Sequence, residues 1–284
     1  MDGISLIEPI SLEESIQKAK QAKAEFGHSL TNCYFPRQAL AAYADDGRLF
    51  FHRSQDALLF LGDEGKYYQV FYFLRAGSTL PTPAHDKALV VNELDADGKQ
   101  LLNLRQAEQA LILARFRLES RNLCLWINLR ENETRLREAL AENETRLARK
   151  GFRFAPAETE EQREQVRKLW SGHLKPTDIP LSHYDFDNSG RVLCIVDEAG
   201  MVCCVIWWDE SKRTSEWRHI VTHPAFLHQG LAFALLCKWA VCALDAGCSD
   251  GYSWCEEHNR ASFSLQEKLG SRYSGKQSLQ YVLP

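Results

Sequence analysis

The stretch "THPAFLHQGLAFALL", residues 222–236, places a proline, a short polar bend and a lone glycine directly before a long apolar run. The apolar run predicts a helix, and the hydrophobic segment before Pro224 predicts a strand that the proline stops. The N–H groups in the first turn of a helix have no partners within the helix, and at the end of a sheet they can bind an anion. This stretch alone leaves an ordinary strand–turn–helix connection, with Gly230 at the bend, as an equal alternative.

The length, composition and net charge of the chain limit the classes of protein to which it can belong. Its 284 residues predict two domains, and 45% hydrophobic with 25% charged residues suffice for packed cores. A net charge of −4 gives no reason to expect a nucleic acid or an anionic membrane as partner. The start, "MDGISLIEPISLEES", has no secretory pattern, and no apolar run reaches the roughly 18 residues of a membrane span. We therefore expect a cytoplasmic protein whose nine cysteines form no disulfides.

The first half predicts a mixed α/β domain. Ser11 and Glu14 stand at capping-box spacing before a helix over 12–26, and a second helix is predicted over 101–114. The residues after Gly27 predict a loop with a short helix. Strands are predicted in "RLFFHRS", "DALLFLG", "YYQVFYFLR", "ALVVNEL" and "NLCLWINL".

The hexapeptide "ENETRL" occurs twice, at 131–136 and 142–147. A spacing of eleven residues is close to three helical turns, so both copies lie on nearly the same face of one predicted helix. Its apolar members are Leu136, Leu140 and Leu147. The pattern favours a charged, mostly solvated helix over a functional repeat. The helix ends at Gly151, and the predicted domain boundary lies there, between 1–150 and 151–284.

The second half predicts a helix, three antiparallel strands, a helix, a strand, a helix and two final strands. The helix after the opening stretch carries only one charge, Lys238, between residues 231 and 244. A helix that is apolar nearly all round is usually buried on more than one side. We therefore expect the first half of the chain, or a second subunit in a homodimer, to cover it.

Several motifs are missing, and their absence removes reaction classes. The sequence has no GxxxxGK[ST], no GxGxxG, no GxSxG, no HExxH and no paired CxxC. His219, His223 and His228 lie close together in the sequence, but no carboxylate or cysteine at ligand spacing joins them, so no metal is expected.

Two linked segments carry a family resemblance. "IVTHPAFLHQGLAFALL" resembles the acetyl-CoA signature of the GNAT superfamily of N-acetyltransferases, and "NRASFSLQEKLGSRY" resembles the next motif of that family. Asn259 and Gly270 stand eleven apart, as they do in the family. The resemblance covers about residues 152–284 and implies a GNAT-like α/β fold, with a mixed sheet, in that half.

The resemblance implies acetyl-CoA as co-substrate and an amine, of a small molecule or a peptide, as acceptor. Backbone groups of Val221 and Thr222 would bind the pantetheine arm, in a cleft between their strand and the strand ending at Glu256. Asn259 would hydrogen-bond the pantetheine or the adjacent backbone. The pyrophosphate would lie on the backbone N–H groups of Leu227, His228, Gln229, Gly230, Leu231 and Ala232.

The sequence departs from the family pattern at three positions. Leu227 stands where the family usually has Arg or Gln, Ser271 replaces an aromatic residue, and Gln266 stands where many members have the tyrosine that protonates the thiolate. The acid would then be Tyr273 or solvent.

An amine must lose a proton before it can attack a thioester. Glu216, His219, Glu256 and Glu257 are candidates for the group that accepts it, and we favour Glu216. Regular strand alternation puts Glu216 and His219 on opposite faces.

Within residues 1–150, the stretch "LTNCYFPRQALAAYADDGRLFFHRSQDALLFL" (30–61) resembles the N-terminal halves of bacterial two-domain GNAT-like proteins, in which this half is a degenerate copy of the fold. Its aromatic residues are candidates for lining an acceptor site, although a core position is favoured for most of them: Tyr34, Phe35, Tyr67, Tyr68 and Tyr72. Two alternatives remain for the chain: a CoA-binding regulatory module without efficient transfer, and a GNAT-fold transferase with another donor such as aminoacyl-tRNA.

Overall fold

The computed structural model describes residues 7–27, 29–33, 36–83, 86–95, 101–173, 192–211 and 213–284. The chain divides into two compact units. Unit 1 comprises residues 1–122 with 275–284, and unit 2 comprises residues 123–274.

The elements from the start of the chain to the crossing into unit 2 follow the predicted order, with two short strands, β1 and β2, added. They are β1 (Glu8–Pro9), α1 (Leu12–Phe26), β2 (Ser29–Thr31), α2 (Pro36–Asp45), β3 (Leu49–Arg53), β4 (Ala57–Asp63), β5 (Tyr67–Arg75), β6 (Ala88–Asp95), α3 (Leu101–Leu113) and β7 (Arg117–Asn128). Helix α1 begins at the predicted capping box, in which Glu14 N–H donates to Ser11 Oγ and Ser11 N–H donates to the Glu14 carboxylate.

The sheet of unit 1 has a core on each face. Its strand order is β1, β3, β4, β5, β6 and the C-terminal strand β13 (Arg272–Leu283), with β2 beside β5. Successive residues of β4 alternate between the faces, as a strand requires. Leu58 and Phe60 pack with α1 and α2, whereas Leu59 and Leu61 pack with α3. Strands β5 and β6 are parallel over Tyr67–Val70 and Ala88–Val91.

The elements of unit 2 that follow β7 match the predicted order up to the last strand, except that the short strand β8 was not predicted. They are α4 (Glu133–Ala148), β8 (Arg153–Pro156), α5 (Glu160–Ser171), β9 (Val192–Val196), β10 (Val202–Glu210), β11 (Thr214–Thr222), α6 (Leu231–Asp245), β12 (Asp250–Glu256) and α7 (Arg260–Leu269). The strand order is β7, β12, β11, β10, β9 and β8. The predicted run of three antiparallel strands is confirmed as β9, β10 and β11, and β11 then pairs in parallel with β12.

Helix α4 covers the apolar helix α6, as the sequence led us to expect for some segment of the first half. Leu136, Leu140 and Leu147 of α4 lie in one buried cluster with most of the buried side chains of α6. At the edges of this contact Arg137 pairs with Asp245 at 2.7 Å and Lys238 pairs with Glu144 at 3.2 Å. The helix that holds both "ENETRL" copies is therefore a packed element, with one face solvated and one face buried.

Two features differ from the sequence-based expectation. The contacts divide the chain between Asn122 and Leu123, while the predicted boundary lies at 150/151, because α4 packs on α6 within unit 2. The predicted final strand pair is wrong: β13 is one strand of twelve residues. Gly275, at φ +84°, lies inside β13 without making a turn. A glycine within a strand marks a bend or bulge, and the chain passes from unit 2 to unit 1 at this residue.

No disulfide joins any of the nine cysteines, all of which lie in the described residues. Burial is the main reason that the pKa of Cys194, Cys203 and Cys204 rises to about 12, so these thiols behave as apolar core groups. Across the described ranges, no helix is long and apolar enough to cross a membrane.

Candidate functional site

The loop between β11 and α6 is built by local sequence signals. Pro224–Phe226 form a single 3₁₀ turn, and the N–H of Ala225 donates to Nδ1 of His223 at 3.2 Å. His228 and Gly230 then take left-handed backbone angles, with φ of +60° and +75°. Gly230 is the residue that precedes α6, and an L-residue is strained at that angle. The glycine is therefore required by the backbone at this bend.

The same loop presents a row of backbone donors without protein acceptors. In the described part of the chain, no carbonyl or side chain accepts from the N–H groups of residues 228–233. These groups belong to the loop and to the first turn of α6, where the helix dipole adds partial positive charge. The side chain of Leu227 is 51% exposed and that of Leu231 is buried. The arrangement can bind an anion through backbone amides.

A β-bulge in β11 changes the faces that its side chains occupy. Val205 of β10 pairs with Val221 and Trp207 pairs with Arg218, so one residue of β10 opposes two of β11. Trp217 packs toward α6, whereas Val221 packs on the opposite face with the cluster that includes α5. Unbroken alternation would put both on one face. The regular alternation that we assumed along β11 therefore does not continue past the bulge, in which His219 lies.

Strands β11 and β12 separate after a short parallel pairing. Their register covers Thr214–Glu216 with Asp250–Tyr252, and beyond these pairs β11 continues to Thr222 and β12 to Glu256. The bulge increases the local twist of β11 at the same place. Val221 and Thr222, the predicted pantetheine-binding residues, lie on β11 beyond the point of separation. On their other side they pair with Val205 and Cys204 of β10.

Glu216 lies at the last pair before the strands separate, and it contacts two neighbours. Arg218 Nη2 donates to Glu216 Oε2 at 2.8 Å, and the Tyr252 hydroxyl donates to the same oxygen at 3.2 Å. The Glu216 side chain is 13% exposed. Oε1 accepts no hydrogen bond from the residues that the structure describes. That oxygen can therefore accept a hydrogen bond from a bound molecule.

Tyr252 is a site residue that the sequence analysis missed. Burial raises the pKa of its phenol to about 12, with a smaller contribution from Glu216, so it remains a hydrogen-bond donor at neutral pH. No sequence pattern marks Tyr252, because its position beside Glu216 depends on the parallel register of two strands that are 27 or more residues apart in the chain.

The second predicted motif forms α7. Asn259 precedes the helix, and its Oδ1 accepts from the Ser262 N–H at 3.0 Å. Gln266 is fully buried, accepts from Ser253 Oγ at 2.6 Å and donates to Ser262 Oγ at 3.3 Å. Tyr273, the predicted acid, is 50% exposed at the start of β13. The structure thus uses Asn259 to begin a helix and Gln266 to join α7 to β12.

The histidines near the loop have separate surroundings. His219 lies in the bulge at φ +38°, and burial, helped by the Arg218 charge, lowers its pKa to about 4. It is therefore neutral at physiological pH. His223 caps the 3₁₀ turn. No group of three His, Cys, Asp or Glu side chains that could hold a metal occurs in the described ranges.

A pocket of about 400 Å³ lies elsewhere in unit 2, at the first "ENETRL" copy. Glu131, Asn132 and Arg135 line one side of it, and Gly270 with Arg272 lines another. None of the predicted site residues lines this pocket. In unit 1, Tyr67, Tyr68 and Tyr72 are buried core residues, whereas Tyr34 and Phe35 lie outside the described residues.

Comparisons with known proteins give a family match and similar folds. Residues 155–270 match the model of the Acetyltransferase (GNAT) family. A GCN5-related N-acetyltransferase from Sphaerobacter thermophilus aligns over 100% of this chain and 96% of its own, at 9% identity and a TM-score of 0.57. A tandem GNAT protein from the clavulanic acid biosynthesis pathway aligns over 98% of both chains, at 12% identity and a TM-score of 0.57.

A third structure shares the fold within a longer chain. A structure described as the glucosamine N-acetyltransferase region of a fungal multi-domain GH3 beta-N-acetylglucosaminidase aligns over 97% of this chain and 38% of its own chain. The identity is 8% and the TM-score is 0.61. No curated protein matches the sequence. At these identities the likeness concerns the fold, which over the whole chain is consistent with two GNAT-like domains.

Proposed function

We propose that this protein moves an acetyl group from acetyl-CoA to an amine, because residues 155–270 match the model of the Acetyltransferase (GNAT) family, which implies acyl transfer. The observation that carries the proposal is the row of unpartnered N–H groups at residues 228–233, at the end of a strand that separates from its parallel neighbour. The acceptor is the amine of a small molecule or a peptide.

The donor binds along β11 and the loop that follows it. The pyrophosphate accepts hydrogen bonds from backbone N–H groups in residues 228–232, at the N-terminal end of α6. The Leu227 N–H, which the sequence analysis included, donates instead to the Pro224 carbonyl at 3.5 Å. The pantetheine arm lies in the gap between β11 and β12, where its amides bond to backbone groups of Val221 and Thr222. Asn259 contributes from the start of α7, through the part of its side chain that Ser262 does not occupy. The fold supports this placement because strand, loop and helix run consecutively in one direction.

Transfer proceeds by direct attack. The amine nitrogen bonds to the thioester carbonyl carbon, the carbon–sulfur bond breaks, and the sulfur leaves with the electron pair. Glu216 receives the amine proton on Oε1, while Arg218 and Tyr252 hold Oε2. The thiolate then takes a proton from Tyr273 or from solvent. The burial of Glu216 at the point where the strands separate supports its role as base.

A CoA-binding module without efficient transfer is the second candidate, and the burial of Gln266 favours it. The side chain at the position of the family's usual acid is enclosed and hydrogen-bonded to Ser253 and Ser262, so it donates no proton to a thiolate. A transferase that uses aminoacyl-tRNA would instead bind acetyl-CoA poorly.

Binding and turnover separate these candidates. Acetyl-CoA at about 100 times its dissociation constant should raise the free energy of unfolding by roughly 2.7 kcal/mol, measured as a thermal shift. Release of CoA thiol across a panel of amines should then identify the acceptor class. A shift without thiol release supports the binding module, and no shift with acetyl-CoA contradicts the main proposal.

A further inference from the structure

The two "ENETRL" copies on α4 make the same type of contact at two different places. In each copy the asparagine accepts a hydrogen bond from the arginine three residues later: Asn132 Oδ1 from Arg135 Nη2 at 3.0 Å, and Asn143 Oδ1 from Arg146 Nη2 at 2.7 Å. In each copy the leucine that follows the arginine is buried in the core. The repeat therefore places two oriented guanidinium groups on one face of α4, about 16 Å apart along the helix axis.

Each guanidinium binds main-chain carbonyls at one end of another helix of unit 2. Arg135 donates to the carbonyl of Leu269, at the C-terminal end of α7. Arg146 donates to the carbonyl of Gln229 through Nη1 and to that of Gly230 through Nη2, the latter at 3.1 Å. Both contacts lie at a glycine with positive φ, Gly270 in the first case and Gly230 in the second. The second contact is made directly to the loop that carries the unpartnered N–H groups.

The Arg146 contact determines where two of those N–H groups point. The chain has no cis peptide bond among the described residues, so each carbonyl is opposed across its peptide plane by the next residue's N–H. Arg146 holds the carbonyls of Gln229 and Gly230 toward α4. The N–H groups of Gly230 and Leu231 therefore point away from α4. A guanidinium with two donors on two successive carbonyls holds both planes at once, which a single ammonium donor does less well.

We propose that Arg146, oriented by Asn143, is a positioning residue that sets the loop amides for the pyrophosphate of acetyl-CoA, and that Arg135 is its counterpart at the end of α7. The proposal rests on the proposed function for its ligand, acetyl-CoA. The contacts of Arg146 with the carbonyls of Gln229 and Gly230, which we call the clamp, are a property of the folded chain itself. The repeat thus has a structural and functional purpose, whereas the sequence favoured a merely solvated helix.

The ligand test uses two donors and a matched pair of variants. Arg146→Ala should raise the dissociation constant for acetyl-CoA about ten-fold or more, as expected for loss of a charged hydrogen-bonding group. S-acetylpantetheine, which lacks the pyrophosphate, should bind Arg146→Ala and the unchanged protein equally. Arg135→Ala, which removes the same contact type from the other helix, should leave the acetyl-CoA dissociation constant unchanged.

Three outcomes overturn the proposal: equal weakening by both alanine variants, equal weakening toward both donors, or full affinity for acetyl-CoA in Arg146→Lys. The last result would show that charge alone suffices and that the paired carbonyl contact is dispensable.

A second measurement needs no ligand and so separates this proposal from the proposed function. In Arg146→Ala, the amides of residues 234–237, which are the first hydrogen-bonded amides of α6, should exchange hydrogen several-fold faster than in the unchanged protein. The amides at the end of α7 should exchange at the same rate in both proteins. Arg135→Ala should show the reverse. If the unchanged protein binds no acetyl-CoA but these patterns appear, the proposed function fails and the clamp stands. If exchange at α6 is the same in all three proteins, the clamp is refuted.

Discussion

Strands β5 and β6 of unit 1 and strands β11 and β12 of unit 2 are parallel neighbours, and the two pairs differ in what connects them and in what fills the gap. In unit 2, β11 leads through a 3₁₀ turn into α6 and returns as β12. In unit 1, residues 76–87 connect β5 to β6, and the described residues of this segment form no helix. Among the residues described in this segment, no helix N-terminus follows β5, whereas the proposed pyrophosphate site of unit 2 has one after β11.

The gap between the strands of unit 1 is filled by β2, which pairs with Phe73–Arg75 of β5, and by the side chain of Asn32, which follows β2. Asn32 Nδ2 donates to the carbonyls of Val70 at 3.0 Å and Asn92 at 3.3 Å, and its Oδ1 accepts from the Tyr72 N–H at 2.8 Å. These groups lie on both strands, next to the last parallel pair. An internal amide thus occupies in unit 1 the kind of position that the pantetheine amides take in our proposal for unit 2. On our proposal for unit 2, the groups that satisfy two separated parallel strands decide whether the strands form a ligand site or a closed scaffold.

The largest expected effect is loss of acetyl-CoA binding in Gly230→Glu. The backbone at φ +75° strains any L-residue, its Cβ lies 2.8 Å from Arg146 Nη1, and the carboxylate repels the phosphates. Titration calorimetry measures the dissociation constant. Gly247→Glu, at the other end of α6 with φ +89° and open space, shares the strain and should bind normally. Normal binding by Gly230→Glu would move the donor site away from this loop.

Glu216→Gln should lower kcat about 10²-fold or more and leave the dissociation constant of acetyl-CoA unchanged, since the amide cannot accept the amine proton. Steady-state rates of thiol release with the identified amine measure the effect. Glu256→Gln and Glu257→Gln, the alternative carboxylates at the end of β12 and in the turn after it, serve as controls. A larger loss in either of them would reassign the base.

Glu93→Gln should alter the pH dependence of stability in unit 1. Burial raises the pKa of Glu93 to about 7 in the folded chain, against 4.5 as its ordinary value, while the Tyr72 hydroxyl donates to it at 2.5 Å. Because the folded pKa is the higher one, the contribution to stability is present below pH 4.5 and is lost as the pH rises through about 7.

The difference in unfolding free energy between pH 4 and pH 8 should therefore shrink by about 3 kcal/mol in Glu93→Gln. Urea denaturation at the two pH values provides the measurement. An unchanged difference would mean that Glu93 is solvated or paired in the folded protein.

Asn32→Ala should destabilise the protein by roughly 1–3 kcal/mol, because it leaves three backbone groups of β5 and β6 without their partner. Its acetyl-CoA dissociation constant should match that of the unchanged protein, since the donor site lies in unit 2. Denaturant unfolding and calorimetry test both statements. Tighter or additional acetyl-CoA binding in Asn32→Ala would show instead that unit 1 holds a masked donor site.

The smallest effect is expected for Leu227→Ala. This side chain is half exposed, and the loop binds through backbone groups, so the dissociation constant for acetyl-CoA should change by no more than about two-fold. The same calorimetric titration applies. A ten-fold loss would indicate that the Leu227 side chain itself contacts the ligand.

The positions of the helices, strands and caps of this protein could be predicted from local sequence patterns. Proline, glycine and hydrophobic periodicity marked β11, the loop and α6, the capping box marked α1, and the order of elements indicated a GNAT-like second half. These signals lie within a few residues of the structures they specify, so a linear pattern carries them.

The long-range contacts around the candidate site could be seen only in the tertiary structure. Arg146 reaches a loop 83 residues away, Asn32 joins strands 38 to 60 residues away, and Tyr252 meets Glu216 across 36 residues. The bulge at His219 also arises from the register between two strands. Such pairings depend on which elements pack together, and no local propensity encodes them. The repeated "ENETRL" is visible in the sequence. The carbonyls that its two arginines bind, at the end of α7 and before α6, are seen only in the folded chain.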